Sequence, residues 1–211
     1  MTRASIAWFA AFLFVCASAG AGSLEATVSM PDGKPLEDAA VVIEPVSGVV
    51  PKPHRTAAVE QRNREFVPYV TIVQTGTMVE FPNRDPLKHH VYSFSPTKLF
   101  EIKLYAGKPM QPVLFDKPGE VAVGCNIHDW MEAYILVVNS PYFAKTSRNG
   151  KALIRDVPAG HYRLRLWHPR QKVEAPLRDI EVGAAPVRLA MQTAVTPRVS
   201  KPKPPVESDK Y

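Results

Sequence analysis

Proline stands at 21 of the 211 positions, about twice the ~5% usual in globular proteins. Each one removes a backbone donor and interrupts a helix interior or a central strand. Spread along the chain, they leave room for short strands and many turns, and little room for long helices. The residues between them agree. Leu24 to Met30 alternates apolar and polar residues and runs into the turn Pro31-Asp32-Gly33. Further β-prone runs cover 39–43, 66–73, 78–81, 90–93, 99–104, 121–125, 134–138, 151–155, 162–166, 179–182 and 187–191. Alternation with period two buries one face of a strand and wets the other. Tyr162 to Leu166 shows it most cleanly. Residues 45–64 hold several prolines and charges without a period and read as a loop. Many short runs at such spacing predict an all-β sandwich or barrel.

A faint echo links two parts of the chain. Asp32-Gly33-Lys34 leads to AAVVIEP, and Asn149-Gly150-Lys151 leads to ALIRDVP. The match is too short to define a repeat, but it predicts two similar turns, on strands that could pack together. From Thr196 the chain is Pro- and Lys-rich without apolar periodicity and reads as a disordered tail.

Composition narrows the function classes. The hydrophobic share is 45% and the charged share 22%, ordinary for a soluble domain with a core. The net charge of +6 is carried by scattered basic residues. That gives no nucleic-acid patch, though it suits an acidic partner surface. The start of the chain has Arg3, the apolar run Ile6 to Cys16, then Ala17-Ser18-Ala19. This is the pattern of a secretory signal peptide, cleaved after Ala19, and the run is too short to span a bilayer. The expected location is the periplasm, with no membrane span in the mature chain. The mature chain then keeps one cysteine, Cys125. Exported proteins normally use cysteines in pairs, so a lone thiol calls for another partner.

The neighbours of Cys125 supply one. Cys125-Asn126-Ile127-His128-Asp129-Trp130-Met131 brings a thiolate, an imidazole and a thioether within seven residues. Soft sulfur with imidazole is the donor set suited to copper. In blue-copper sites, two His and one Cys lie in a trigonal plane with a distant axial Met. A second histidine must therefore come from elsewhere. His89 and His90 follow a strand and a short loop, Val79 to Lys88, and open the next strand. Neighbours on a strand point to opposite faces, so one of the two serves and not both. Val121, Val123 and Cys125 share one strand face, which places the thiol at the end of a buried row. Strand 134–138 carries the chain back, so the donor segment is a tight loop between two core strands. His54, His161 and His168 sit in a proline-rich loop, beside a turn glycine and at a strand end, and read as ordinary histidines. Trp130 suits either packing or partner docking. Asp129, Glu101 and Glu132 form no acid–base pair, and no nucleophile elbow, phosphate loop or zinc-hydrolase motif is present.

With these residues in view, the sequence resembles the cupredoxins, the small blue copper proteins. The Cys-x-x-His-x-x-Met spacing is like that of amicyanin, and Phe81 to Val91 looks like the matching amicyanin and plastocyanin segment. The likeness is closer to the exported, methylamine-utilisation-protein-like cupredoxins. Those share the stretches found here at Phe81 to Ser95, Gly124 to Met131 and Pro158 to Arg170. The resemblance implies a cupredoxin-like Greek-key β-sandwich with additional N- and C-terminal strands. It also implies one copper ion cycling between Cu(I) and Cu(II), held by His89, Cys125, His128 and an axial Met131. Asn83 would steady the Cys125 sulfur through its backbone. Asn126, Ile127 and Asp129 depart from the prolines usual in amicyanin-like loops, and His90 stands where Asn commonly follows the first histidine.

The expected organisation is a signal peptide at 1–19, a copper domain at 20–139 that includes the N-terminal strands, a β extension at 140–195 and a tail at 196–211. The extension is either transthyretin-like or completes the sandwich. The expected function is electron transfer without catalysis. Single electrons would pass through the edge of His128 to a redox partner such as a c-type cytochrome or a dehydrogenase. The alternatives are a copper storage or delivery module, and a structural sandwich with a vestigial site.

Overall fold

The structure, a computed structural model, describes residues 21–53 and 56–199, with Pro202 and Pro205. The expected signal segment 1–19, His54 and most of the expected tail lie outside the described residues. Within them the chain is all-β, with no helix and hence no helix long and apolar enough to cross a membrane.

Seventeen strands follow one another among the described residues. They are β1 (Gly22–Ser29), β2 (Ala40–Pro45), β3 (Ala57–Ala58), β4 (Glu60–Gln61), β5 (Phe66–Val67), β6 (Val70–Gln74), β7 (Thr77–Glu80), β8 (His89–Ser95) and β9 (Lys98–Tyr105). Then come β10 (Val113–Phe115), β11 (Gly119–Gly124), β12 (Glu132–Val138), β13 (Phe143–Lys145), β14 (Lys151–Val157), β15 (Gly160–Trp167), β16 (Arg178–Val182) and β17 (Val187–Gln192). The run expected over 66–73 is divided into β5 and β6 at Pro68, which has no N–H to give a ladder. The loop expected over 45–64 contains the two-residue strands β3 and β4.

Fifteen of the strands form two sandwiches, and β4 and β5 pair as a separate two-stranded hairpin. One sandwich packs the sheet β14-β1-β17 against β13-β2-β15-β16. Its core holds Leu24, Val28, Val41, Ile43, Ile154 and Leu164. The other packs β6-β12-β11-β8-β9 against β10-β7-β3, around Val79, Phe81, Val91, Phe115, Val121, Val123 and Ile135. The chain leaves the first sandwich after β2, builds the second, and returns at β13. The second sandwich is therefore an insertion in the first.

This differs from the expected grouping of 20–139 as one unit. β1 pairs with β14 and β17, and β2 pairs with β13 and β15. The first two strands thus belong with the late strands, whose apolar faces need them for cover. Their amphipathic pattern shows that a face is buried but not what buries it. The turn echo has a structural basis. Lys34 N–H donates to Asp32 Oδ1 at 3.1 Å and Lys151 N–H donates to Asn149 Oδ1 at 3.2 Å. Gly33 and Gly150 follow at φ 84° and 74°, in the left-handed region that glycine enters without steric cost. A Cβ on Gly150 would stand 2.4 Å from the Val28 carbonyl oxygen.

A third apolar cluster joins the sandwiches: Ala40, Val42, Tyr69, Val70, Leu136, Val138 and Trp167. Two strands are buried on both faces to make it. In β2, Val41 and Ile43 face the first core while Ala40 and Val42 face the seam. In β12, Ala133, Ile135 and Val137 face the second core while Leu136 and Val138 face the seam. Period-two alternation makes this possible, and strands buried on both faces read as continuous apolar runs. Truncating a side chain such as Leu136 in such a place costs about 2–5 kcal/mol. The seam has a polar rim, where Lys145 Nζ reaches Asp38 at 2.6 Å and the Val70 carbonyl at 3.0 Å. The start of the expected tail is docked there too. Thr196 N–H bonds the Arg170 carbonyl at 2.9 Å, and the Arg198 guanidinium lies 4.0 Å from the Tyr69 ring centre.

His168 follows β15 directly and is 2% exposed, and its Nδ1 accepts the Arg170 N–H at 3.1 Å. Burial, with the charge of Arg170 added, pushes its pKa down from 6.5 to about 4. Folding therefore favours the neutral ring. The stability it contributes is complete above pH 6.5 and is lost as the pH falls toward 4, on the order of 3 kcal/mol in all. Chemical denaturation at several pH values should show this acid loss in the wild type and a much weaker one in His168→Gln.

Candidate metal centre

The donor segment sits at one end of the inserted sandwich. β11 alternates Val121 and Val123, both buried, with exposed Glu120 and Ala122. The alternation runs on one step to Cys125, 3% exposed. The chain then turns through 125–131, where Met131 N–H bonds the His128 carbonyl at 2.9 Å. It re-enters the sheet as β12, antiparallel to β11. His89 opens β8, which lies on the other side of β11. The sheet order thus brings together residues 36 apart in sequence.

Three side chains converge. His89 Nδ1 lies 3.2 Å from His128 Nδ1, and Cys125 Sγ lies 4.0 Å from the first and 3.7 Å from the second. His89 and His128 are 0% and 1% exposed. These three residues are the one group among the described residues whose side chains stand close enough to share a metal ion. The separations define a point about 2.1 Å from each donor atom, against typical metal bonds of about 2.0–2.1 Å to nitrogen and about 2.3 Å to sulfur. The point falls inside the triangle, so the donors fit a trigonal site. Met131 is 2% exposed and belongs to the same core as Cys125.

His90 points elsewhere, its Nε2 3.0 Å from Glu101 Oε1. Of the adjacent pair, His89 is the one turned to the thiol. His161 and His168 belong to β15 and the residue after it, in the other sandwich. Asn83 does not take its expected part. Its N–H donates to the Gly107 carbonyl at 2.6 Å, not to the sulfur. The Asn83 side chain is a loop clamp instead. Nδ2 donates to the carbonyls of Leu87 at 2.7 Å and Tyr105 at 3.0 Å, and Oδ1 accepts the Asp85 N–H at 2.9 Å.

His128, through whose edge electrons were expected to pass, is buried at 1% exposure. The Trp130 ring lies beside it, centres 5.0 Å apart. Trp130 Nε1 donates to the Arg64 carbonyl at 3.0 Å, and the Arg64 guanidinium stands 5.6 Å from the ring centre. Trp130 packs against the core of the site while part of it stays exposed. Asp129 is exposed.

Asp85 went unread in the sequence. Its Oδ2 lies 2.8 Å from His89 Nε2, on the far side of the ring from the donor triangle. Burial works against its charge, yet the Arg64 and Asn63 N–H groups and the His89 ring hold its carboxyl below the usual carboxylate range. The only sequence signal was its position four residues before His89.

Two buried imidazoles and a buried thiol in one pocket form the donor set of a type 1 copper site. In its residue types this cluster is cupredoxin-like. No protein-family model and no curated protein sequence matches the chain. Partial overlays on solved structures include a copper-containing nitrite reductase from Thermus scotoductus SA-01, at 25% identity and TM-score 0.37, over 44% of this chain and 25% of that one. A purple cupredoxin from Nitrosopumilus maritimus overlays 38% of this chain and 98% of its own, at 18% identity and TM-score 0.35. A Cu(I) amicyanin variant overlays 46% of this chain and 97% of its own, at 16% identity and TM-score 0.35. This chain spans a quarter of the length of the nitrite reductase it matches. The reading of the site rests on the donor triangle, not on these overlays.

Asn83→Ala would leave two carbonyls and one N–H, all part-buried, without the Asn83 partner. The expected cost is about 1–3 kcal/mol, read by chemical denaturation of the metal-free protein.

Proposed function

We propose that the protein is a periplasmic electron carrier with one copper ion held by His89, Cys125, His128 and Met131. The carrying observation is the buried triangle of two imidazole nitrogens and one thiol sulfur, 3.2–4.0 Å on its sides. The ion would supply a one-electron couple, Cu(II)/Cu(I). The protein's own residues do the rest. The β11–β12 turn and the start of β8 hold the donors before the metal arrives, so little needs to move when the charge changes. Donors buried this fully leave no open position for a substrate, which favours a carrier over an enzyme. The same burial slows metal exchange, which favours a carrier over a storage or delivery module.

With His128 covered, electrons pass between the site and the surface through Trp130, the ring in contact with it. Its half-buried position makes it the surface on which a redox partner, such as a c-type cytochrome or a dehydrogenase, would dock. Export rests on the pattern at 1–19 and on the single cysteine of the mature chain.

The test uses residues 20–211 with added Cu(II), read by visible absorption and electron spin resonance. The wild type should show an intense thiolate-to-copper band, and Cys125→Ser should abolish it. A colourless wild type that binds no copper would defeat the proposal. Trp130→Leu should keep the band and slow electron self-exchange measured by NMR line broadening.

A further inference from the structure

Asp85 is held too firmly to be an incidental neighbour of His89. Its side chain is 8% exposed and has three donors. Asn63 N–H reaches Oδ1 at 2.6 Å, and Arg64 N–H and the His89 ring reach Oδ2 at 2.9 and 2.8 Å. Its own N–H is capped by Asn83 Oδ1. Carboxylate and imidazole are therefore fixed with respect to each other.

The two amides come from an unusual turn. Asn63 and Arg64 both have φ 55°, closed by the reciprocal Arg62–Glu65 backbone bonds of 2.9 and 3.1 Å. Two successive left-handed residues make the hairpin turn in which Asn-Gly is favoured. Asn63 suits it. Arg64 occupies the place where glycine would be free of strain. The turn aims both N–H groups at Asp85, while the Arg64 carbonyl takes the Trp130 indole N–H. One hairpin thus braces His89 from behind and the 125–131 loop from the side.

A carboxylate only accepts, so the His89 nitrogen facing it carries the hydrogen. In a neutral ring the other nitrogen, Nδ1, then has the lone pair. Nδ1 is the atom in the donor triangle. Carboxylate–histidine–metal arrangements fix the tautomer and raise the basicity of the ligand. A buried negative charge also favours the more positive state of a nearby ion, since Coulomb attraction is strong in a low-dielectric surrounding.

Resting on the copper reading above, we infer that Asp85 is the positioning residue of the site. It holds His89 with the Nδ1 lone pair aimed at the ion and stabilises Cu(II) relative to Cu(I).

Asp85→Asn keeps an acceptor and removes the charge. In the mature chain loaded with copper, Cu(II) affinity should fall about 10–100-fold, with Cu(I) affinity less affected. A tenfold change in their ratio corresponds to a rise of about 59 mV in midpoint potential for one electron, read by voltammetry. An unchanged potential and affinity in a variant that still shows the thiolate band would overturn the inference. Nitrogen-15 NMR of the metal-free wild type provides a test that does not depend on the variant folding. The His89 ring should be the Nε2–H tautomer, and an Nδ1–H tautomer would overturn the inference. A wild type without the thiolate band defeats the copper reading itself, an outcome separate from either result.

Discussion

Burying two imidazoles and a thiol side by side constrains everything around them. Polar groups removed from water must find partners, and an unmade contact costs about 1–3 kcal/mol. Here the three inward atoms face one another across 3.2–4.0 Å. Metal binding to such a cluster would release the thiol proton. The loops around the site keep this arrangement from collapsing. Asn83 ties the 83–88 loop to Leu87 and Tyr105. Asp85 backs one imidazole, and Trp130 covers the other.

The larger architecture serves the same end. The sheet that carries the donors would have its outer face exposed at β6 and β12. The first sandwich covers part of it, through Ala40, Val42 and Trp167 against Val70, Leu136 and Val138. β12 therefore links the donor turn, the inner core and the seam in one seven-residue strand. A strand held on both faces gives the turn before it a rigid base.

Much of the site was legible because it depends on local pattern. Period two in β11 put Cys125 at the end of a buried row, and the structure keeps it there. The opposite orientation of strand neighbours separated His89 from His90, which pairs with Glu101 instead. The two matching turns at Asp32 and Asn149 were visible in their Asx-Gly-Lys residues. What stayed hidden depends on which surfaces meet. β1 and β2 read as strands, but nothing in their alternation says that β14, β17, β13 and β15 flank them. Asn83 was assigned to the sulfur, and its amide went to Gly107. The Trp130 ring beside His128 was likewise not specified by the sequence, which left Trp130 open between packing and docking.

By itself, the sequence determined the all-β class, the turns and the chemical identity of the donors. Proline content, alternation and residue type are local properties, read within a few positions. Only the tertiary structure decided that His89 reaches Cys125, that Asp85 stands behind it, and that the donor-bearing sandwich interrupts the other. These follow from sheet order and the packing of distant faces, and the free energy of such packing belongs to pairs of segments that no single stretch of chain specifies.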